Sequence, residues 1–188
     1  IKKTKGLYIS FLDVDDLWRK DKLSQQINLL KRNKKLKIIY SNYIFYNEKK
    51  RNRFVRYDKK LPSGYITQNL LNDYIIGLNT TLVQKNLFKK FKFNSSYDII
   101  GDFDFFLRAS VKNIIMSIQK PLAIYRSHEN NLSQKKLDVY YNELNNWIIK
   151  VKKDKIFKSY NFSNIKKFLF FLKIKLIFSK YLNINLGV

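Results

Sequence analysis

Segments with the pattern of β-strands alternate with segments of helical pattern between residues 7 and 125. Leu7–Leu12 is a short apolar run of the kind that forms a buried strand. In Lys20–Asn33, apolar residues recur with the spacing of an amphipathic helix, whereas Leu36–Tyr46 is rich in the β-branched and aromatic residues of strands. This alternation, with no internal repeat of solenoid period, predicts an α/β fold.

Shorter segments continue the alternation. Asn47–Lys60 is highly charged, and we expect a hairpin tip or a loop there. From Leu132 onward the sequence is helical in pattern, basic and aromatic. We predict strands at Thr80–Val83, Ile114–Ile118 and Leu122–Tyr125, the last two flanking Pro121, and helices at Thr67–Tyr74, Asn86–Phe91 and Asp102–Ser110.

The composition requires a folded core and excludes several kinds of site. Hydrophobic residues make up 45% and aromatic residues 16% of the 188 positions, which is too much apolar surface for a disordered polymer. The sequence has no cysteine and one histidine. It therefore cannot form a disulfide framework, a thiolate zinc site, a cysteine nucleophile or a multi-histidine metal site. Carboxylates remain the main groups available for catalysis.

The net charge of +24, from 38 Lys and Arg against 14 Asp and Glu, suits an anionic partner. The lysines are dispersed, however, and Asn, Ile, Phe and Tyr are abundant as well, which is typical of AT-rich coding, so nucleic-acid binding is only a minor alternative. In the tail, Asn161–Leu182, lysines alternate with apolar residues. This pattern predicts salt-sensitive association with an anionic membrane surface, or else an ordinary helix that covers the sheet. Because lysines interrupt the apolar runs, we expect no membrane-spanning helix.

An acidic cluster follows the first predicted strand. Asp13, Asp15 and Asp16 fall within four positions although the whole chain has only 14 acidic residues. Clustered carboxylates raise one another's pKa unless a cation or a basic partner neutralises them. Oxygen ligands at a strand end suit Mg²⁺ or Mn²⁺, which completes its coordination with water and substrate phosphate. The alternative is a turn in which Asp15 or Asp16 caps a segment that begins near Leu17.

Three segments, in order, resemble the motifs of family 2 glycosyltransferases. Tyr8–Asn33 (YISFLDVDDLWRKDKLSQQINLLKRN) resembles the region with the metal-binding DxD motif. Ile100–Ser110 (IGDFDFFLRAS) resembles the segment with the catalytic base, and Pro121–Ser133 (PLAIYRSHENNLS) resembles the later YRxH segment. The resemblance implies a GT-A-like fold, a mixed sheet with flanking helices, and transfer of a sugar from a nucleotide-diphospho-sugar to an acceptor hydroxyl with inversion.

The same resemblance assigns donor-binding residues. Asp15 and Asp16 correspond to metal ligands, for Mn²⁺ or Mg²⁺, and Asp13 to the acid nearer the donor's ribose. Arg126 and His128 correspond to the polar residues of the YRxH segment, which are expected to meet the diphosphate, with His128 also a candidate for the metal site.

Asp102 corresponds to the catalytic base, with Asp104 as its rival. The commoner Glu-Asp pair is absent, because position 101 is Gly. The spacing favours Asp102, since a helix that continues through this segment projects Asp104 about 200° away. The alternative for Asp102 is a helix N-cap. The nearby Phe103, Phe106 and Leu107 are expected in the core.

The resemblance also sets expectations for the whole chain. We expect residues 1–133 to be the C-terminal part of a catalytic domain and residues 134–188 to be a helical, basic extension. The family's base-binding strands do not precede Lys5, so we expect a fragment truncated at its N-terminus, with an exposed sheet edge and weak activity alone. The expected acceptor is a surface polysaccharide or lipid-linked glycan, reached from the cytoplasm.

Two other functions fit parts of the pattern. Phosphatases of the haloacid dehalogenase type also place a DxD after an apolar strand, but Leu17 stands where they usually carry Thr or Val. A basic, aromatic module could instead bind RNA or a membrane without catalysis, although the acidic cluster would then repel phosphate unless a metal intervened.

Overall fold

A computed structural model describes residues 1, 3–129 and 131–182 of the protein. The chain divides into two compact units, each built from separated segments. The sheet unit comprises Ile1–Thr67, Ile75–Lys92 and Arg108–His128. The helical unit comprises Gln68–Tyr74, Phe93–Leu107 and Glu129–Val188. The functional boundary expected near residue 133 stays a prediction.

All the described strands belong to one mixed sheet in the sheet unit. Its order is β1-β5-β3-β6-β2, and β4 pairs with the far half of β3. The two long strands, β3 and β6, run parallel, and the other pairs are antiparallel. The strands are β1 Tyr8–Ile9, β2 Leu17–Trp18, β3 Ile38–Asn47, β4 Asn52–Val55, β5 Leu82–Gln84 and β6 Ile115–Ser127. The predicted α/β class is confirmed.

The helices agree closely with the sequence pattern. The helix predicted at Lys20–Asn33 is α1. Leu30, near its C-terminal end, packs in a buried cluster with Leu36, which follows the helix, and with Ile39 and Leu82. The helices are α1 Lys22–Arg32, α2 Thr67–Asn72, α3 Leu87–Lys90, α4 Gly101–Ser110, α5 Leu132–Lys135, α6 Leu137–Val151 and α7 Ser163–Leu182. Two short 3-10 turns add Leu78–Thr80 and Lys155–Phe157.

Two strand predictions were wrong in detail. Pro121 does not divide two strands, because β6 runs through it without a break. The pairing of β6 with β3 changes register around Asn42, which faces Pro121, so the missing N–H of proline falls at an irregular point of the ladder. Of the predicted strand Leu7–Leu12, only β1 pairs with another strand.

The helical unit is organised around Trp147. This side chain is fully buried and makes edge contacts with Phe103 and Phe157, at ring distances of 4.8 and 6.2 Å. The buried positions of Phe103, Phe106 and Leu107 confirm the predicted core stripe of α4. The helix α7 packs against α6.

Candidate active site

The acidic cluster forms a turn between β1 and β2. The N–H of Asp16 donates to the carbonyl of Asp13 at 3.1 Å, which closes the turn. Asp13 is exposed as a residue, but partial desolvation of its carboxyl and the nearby Asp15 charge together raise the pKa of that carboxyl. We refer to residues 13–16 as the acidic turn. Pairing of Leu17 and Trp18 with β6 then sets this turn beside the end of β6.

Asp15 and His128, which the sequence analysis named separately as candidate site residues, are hydrogen-bonded in the structure. His128 follows β6 directly, and its Nε2 lies 2.6 Å from Oδ2 of Asp15. This hydrogen bond is the main reason that the pKa of Asp15 lies below its usual value. The sheet therefore brings together two residues that are 113 positions apart in sequence, and leaves Asp15 ionised as a metal ligand must be.

Asp16 is held differently, because protein groups bind both of its oxygens. The N–H of Arg126 donates to Oδ1 at 3.0 Å, and Nδ2 of Asn79 donates to Oδ2 at 2.6 Å. Burial raises the pKa of Asp16 to about 6 in spite of these bonds. Asn79 was missed by the sequence analysis. The only local signal was a polar stretch, Asn79–Thr81, directly before a strand.

A buried lysine lies beneath this region. Lys22, at the start of α1, donates from Nζ to Ser10 Oγ at 2.8 Å, Gln26 Oε1 at 2.9 Å and the Thr81 carbonyl at 3.1 Å. Nζ also lies 4.4 Å from the centre of the Trp18 ring. Burial lowers the pKa of Lys22 to about 7.

Gln26 and Trp18 connect this hydrogen-bond network to the segment that carries Asn79, the partner of Asp16 in the acidic turn. Gln26 Nε2 donates to the Thr80 carbonyl at 2.7 Å, and Trp18 Nε1 donates to the Asn79 carbonyl at 2.8 Å. The segment that presents Asn79 to Asp16 is therefore fixed from α1 and from β2. We refer to Lys22, Gln26, Trp18 and Asn79 as the supporting network.

Arg126, which the sequence assigned to the donor diphosphate, pairs with Glu48. Its Nε donates to Glu48 Oε1 at 2.9 Å, and a second guanidinium nitrogen contacts the same oxygen. The positive charge also lies close enough to Asp15 to contribute to its lowered pKa. A role with a diphosphate would require Arg126 to share its charge between Glu48 and the ligand.

Aromatic side chains adjoin the acidic turn. The rings of Tyr43 and Tyr125 lie 6.2 Å apart, and those of Tyr43 and Tyr57 lie 6.1 Å apart. Burial raises the pKa of Tyr125 to about 12, with a smaller effect from the Asp16 charge. The guanidinium of Arg56 lies 5.4 Å from the Tyr57 ring centre. The sequence analysis did not identify this group of tyrosines.

The two acids of α4 have different environments within the helical unit. Asp102 is half-buried, and its carboxylate accepts hydrogen bonds from the Tyr74 hydroxyl at 3.1 Å and the Phe103 N–H at 2.8 Å. Asp104 is buried and accepts from Nε1 of Trp147 at 3.0 Å. Asp104 therefore serves the core, in keeping with the choice of Asp102 over Asp104 as base; that choice stays a prediction.

Glu143 of α6 fixes the segment that leads into α4. Its carboxylate accepts hydrogen bonds from the backbone N–H groups of Asp98, Ile99 and Ile100, at 2.7, 3.0 and 3.1 Å. A carboxylate is well suited to the unpaired N–H groups near a helix start. No local pattern marked Glu143, because its partners lie more than 40 residues earlier.

Comparison with known proteins assigns the chain to a family. Residues 1–169 match the family model described as "Glycosyltransferase like family 2". The chain belongs to this family. The predicted family is thereby confirmed, and the mixed sheet with flanking helices is consistent with a GT-A-like fold.

Two relatives carry glycosyltransferase names. The chain is 32% identical over 94 residues, 50% of its length and 35% of the relative, to UDP-Glc:alpha-D-GlcNAc-diphosphoundecaprenol beta-1,3-glucosyltransferase WfgD of Escherichia coli. It is 30% identical over 132 residues, 67% of its length and 21% of the relative, to a protein of Rickettsia felis (strain ATCC VR-1525 / URRWXCal2) named "Uncharacterized glycosyltransferase". The chain thus spans about a third or less of the length of these two relatives.

The carboxylate oxygens of the acidic turn provide part of the ligand set for a divalent cation. Among the described residues, no three His, Cys, Asp or Glu side chains are grouped as a complete metal site. Asp13 and Asp15 offer carboxylate oxygens, whereas both oxygens of Asp16 accept hydrogen bonds from protein groups. Two carboxylates suit Mg²⁺ or Mn²⁺, since such ions usually take their other ligands from water and substrate phosphates.

Proposed function

We propose that this chain is part of an inverting glycosyltransferase that moves a sugar from a nucleotide-diphospho-sugar to an acceptor hydroxyl. The observation that carries the proposal is the hydrogen bond between Asp15 and His128, two residues that the sequence resemblance assigns to donor binding. This pairing joins the DxD-like and YRxH-like segments in one place. Catalysis is proposed for the whole protein, since the chain spans only part of the length of the relatives that it matches.

On the donor side, Asp15 and Asp13 would hold the Mg²⁺ or Mn²⁺ ion. The ion would neutralise negative charge on the departing nucleoside diphosphate. His128 orients the Asp15 carboxylate by its 2.6 Å hydrogen bond. Asp16 keeps the turn in shape through Asn79 and the Arg126 N–H. We therefore assign Asp16 a positioning role in place of the metal-ligand role expected from the motif.

On the acceptor side, we propose Asp102 as the general base. Its carboxylate would take the proton from the acceptor hydroxyl as the oxygen attacks the anomeric carbon and the bond to the diphosphate breaks. Attack from the side opposite the leaving group inverts the anomeric configuration. The Tyr74 hydroxyl and the Phe103 N–H orient this carboxylate.

The proposed acceptor is a lipid-linked or surface glycan. Support comes from the name of the Escherichia coli relative, which specifies a GlcNAc carried on diphosphoundecaprenol. An enzyme with such an acceptor would work in the cytoplasm, at the inner face of the membrane. The sugar and the nucleotide base of the donor are not assigned.

The test uses the full-length protein with a panel of UDP-, GDP- and dTDP-sugars and polyprenyl-diphosphate-linked GlcNAc. We expect glycosyl transfer from at least one donor, its loss with EDTA, and recovery with Mn²⁺ or Mg²⁺. The anomeric configuration of the product, read by NMR, should be opposite to that of the donor. Retention of configuration would contradict the inverting mechanism. Hydrolysis of small phosphoesters without glycosyl transfer would favour the phosphatase alternative.

A further inference from the structure

The helix α7 has one buried face. Ile165 and Leu172 are buried, and their separation of seven residues places them on the same side of the helix. The ring of Phe168 contacts Tyr140 of α6 at 5.9 Å between centres. This side of α7 is therefore occupied by its packing within the helical unit.

A second apolar face of α7 is exposed. Phe170, Phe171, Ile177 and Phe178 are 61%, 65%, 45% and 51% exposed. Ile174 lies four residues after Phe170 and four before Phe178, so the five side chains form one continuous stripe. We refer to these five residues as the outer face. An exposed run of large apolar side chains is uncommon on a surface that contacts only water.

The charged residues of α7 itself are all positive. Lys166, Lys167, Lys173 and Lys175 belong to the same helix, and the sequence has no Asp or Glu after Asp154. The nearby Lys166 side chain, together with some desolvation, lowers the pKa of Lys152. A neighbouring anionic surface would relieve the repulsion between these lysines.

The exposed apolar side chains and lysines of α7 suit a helix that lies in the plane of a membrane better than one that crosses it. Within residues 1, 3–129 and 131–182, no helix has the length and apolar content needed to cross a bilayer. A helix that lies in the membrane plane inserts an apolar face into the boundary between headgroups and acyl chains, while its lysines remain at the anionic headgroups. Lysine side chains can bury their methylene stems in that boundary and keep the ammonium group in water.

We propose that the outer face of α7 binds in the plane of an anionic phospholipid bilayer. Phe170, Phe171, Ile177 and Phe178 enter the acyl boundary, and the lysines of α7 bind the phosphate headgroups. The proposal goes beyond the glycosyl transfer proposed above and does not depend on it. If both hold, membrane binding brings the enzyme to acceptors carried on lipid.

The test is flotation of full-length protein with vesicles of phosphatidylcholine alone or with 30% phosphatidylglycerol. No nucleotide-sugar is needed, so its outcome is separate from that of the transfer assay. We expect binding to the anionic vesicles only, weakened as NaCl rises from 0.1 to 0.5 M. The double variant Phe170→Ser/Phe178→Ser should bind at least ~10-fold more weakly, and Lys166→Gln/Lys173→Gln should lose roughly 5-fold per lysine.

Two variants control for exposure and for charge. Tyr65→Ser removes an exposed aromatic ring from the sheet unit, and Lys34→Gln/Lys35→Gln removes two exposed lysines next to α1. Both should float like the original protein, and circular dichroism should show all four variants folded. Equal flotation of the Phe170→Ser/Phe178→Ser variant and the original protein would overturn the proposal. So would a lipid-free dimer, seen by light scattering, that the same variant abolishes, because the outer face would then bind a second copy.

Discussion

At the scale of single residues, the three acids of one turn have three different environments. Asp13 is exposed, Asp15 is bound to His128, and Asp16 is buried between Asn79 and the backbone of Arg126. Asn79 is the only side chain that donates a hydrogen bond to Asp16 among the described contacts. The geometry of the turn therefore depends on a residue 63 positions away.

Replacement of Asn79 should destabilise the fold. Asn79→Leu keeps a similar volume but leaves Oδ2 of Asp16 buried without its donor. We expect a loss of about 1 to 3 kcal/mol in the free energy of unfolding, measured by urea denaturation. The control is Asn28→Leu, on the exposed side of α1, which should change stability by less than about 0.5 kcal/mol. Equal stability of the two variants would show that the Asp16 hydrogen bond contributes nothing.

Lys22 should make stability depend on pH. Burial lowers its pKa from 10.5 to about 7 in the folded protein. Between these values the unfolded chain binds a proton that the folded chain has released, so the free energy of unfolding rises with pH. The Lys22→Met variant should lack this rise between pH 7 and pH 10, whereas the control Lys20→Met, at an exposed lysine, should retain it. Urea denaturation at several pH values tests the difference. A parallel rise in both variants would mean that Lys22 stays charged.

The two proposed carboxylate roles can be separated by kinetics of the full-length enzyme. Asp15→Asn should weaken the binding of Mn²⁺ and of the donor, because it removes a charged oxygen ligand. Asp102→Asn should leave both affinities nearly unchanged and lower turnover by roughly 10² to 10⁴-fold.

Asp58→Asn, at an exposed position, is the control and should match the original enzyme in every measurement. Asp104→Asn should retain turnover and lose some stability, because its carboxylate serves Trp147 in the core. Activity lost in Asp104→Asn and kept in Asp102→Asn would refute the assignment of the base.

At the scale of elements, the start of α4 depends on α6. Three consecutive backbone N–H groups before α4 donate to the Glu143 carboxylate. The segment that leads to Asp102 is thus set by a side chain from another helix of the same unit. Its own sequence provides the helix, with Gly101 at the first position.

Shortening Glu143 should loosen this segment. Glu143→Ala leaves the three N–H groups without a protein acceptor, and we expect a loss of about 1 to 3 kcal/mol in stability. Glu143→Gln keeps one acceptor oxygen and should lose less. Amide hydrogen exchange at Ile99 and Ile100 should be faster in the alanine variant than in the glutamine variant. Unchanged exchange in both would show that Glu143 does not hold this segment.

At the scale of the whole molecule, the charge of +24 opposes compactness. Self-repulsion destabilises a folded chain that is far from neutrality. At ordinary ionic strengths, salt screens the repulsion between exposed charges that lie more than about 8 to 10 Å apart. We expect the melting temperature to rise as NaCl increases from 0.05 to 0.5 M. A charge-reduced variant, Lys34→Glu/Lys35→Glu, should show a smaller rise. A melting temperature independent of salt would mean that the dispersed lysines do not repel one another appreciably.

The sequence by itself determined the family, the α/β class, the acidic turn and most of the helices. Each of these depends on a local pattern: the helical spacing of α1, the β-branched and aromatic composition of β3, or a short motif such as residues 13–16. Local patterns can be read directly because the residues that produce them are neighbours in the chain.

Tertiary structure alone decided which distant groups complete the site. The pairing of Asn79 with Asp16, the hold of Glu143 on the start of α4, and the unbroken course of β6 through Pro121 all depend on segments far apart in sequence. A buried hydrogen bond of this kind has no periodicity, because its partners are chosen by packing and by the need to satisfy buried polar groups. The outer face of α7 likewise depends on tertiary packing, because Ile165 and Leu172 occupy the other side of the helix.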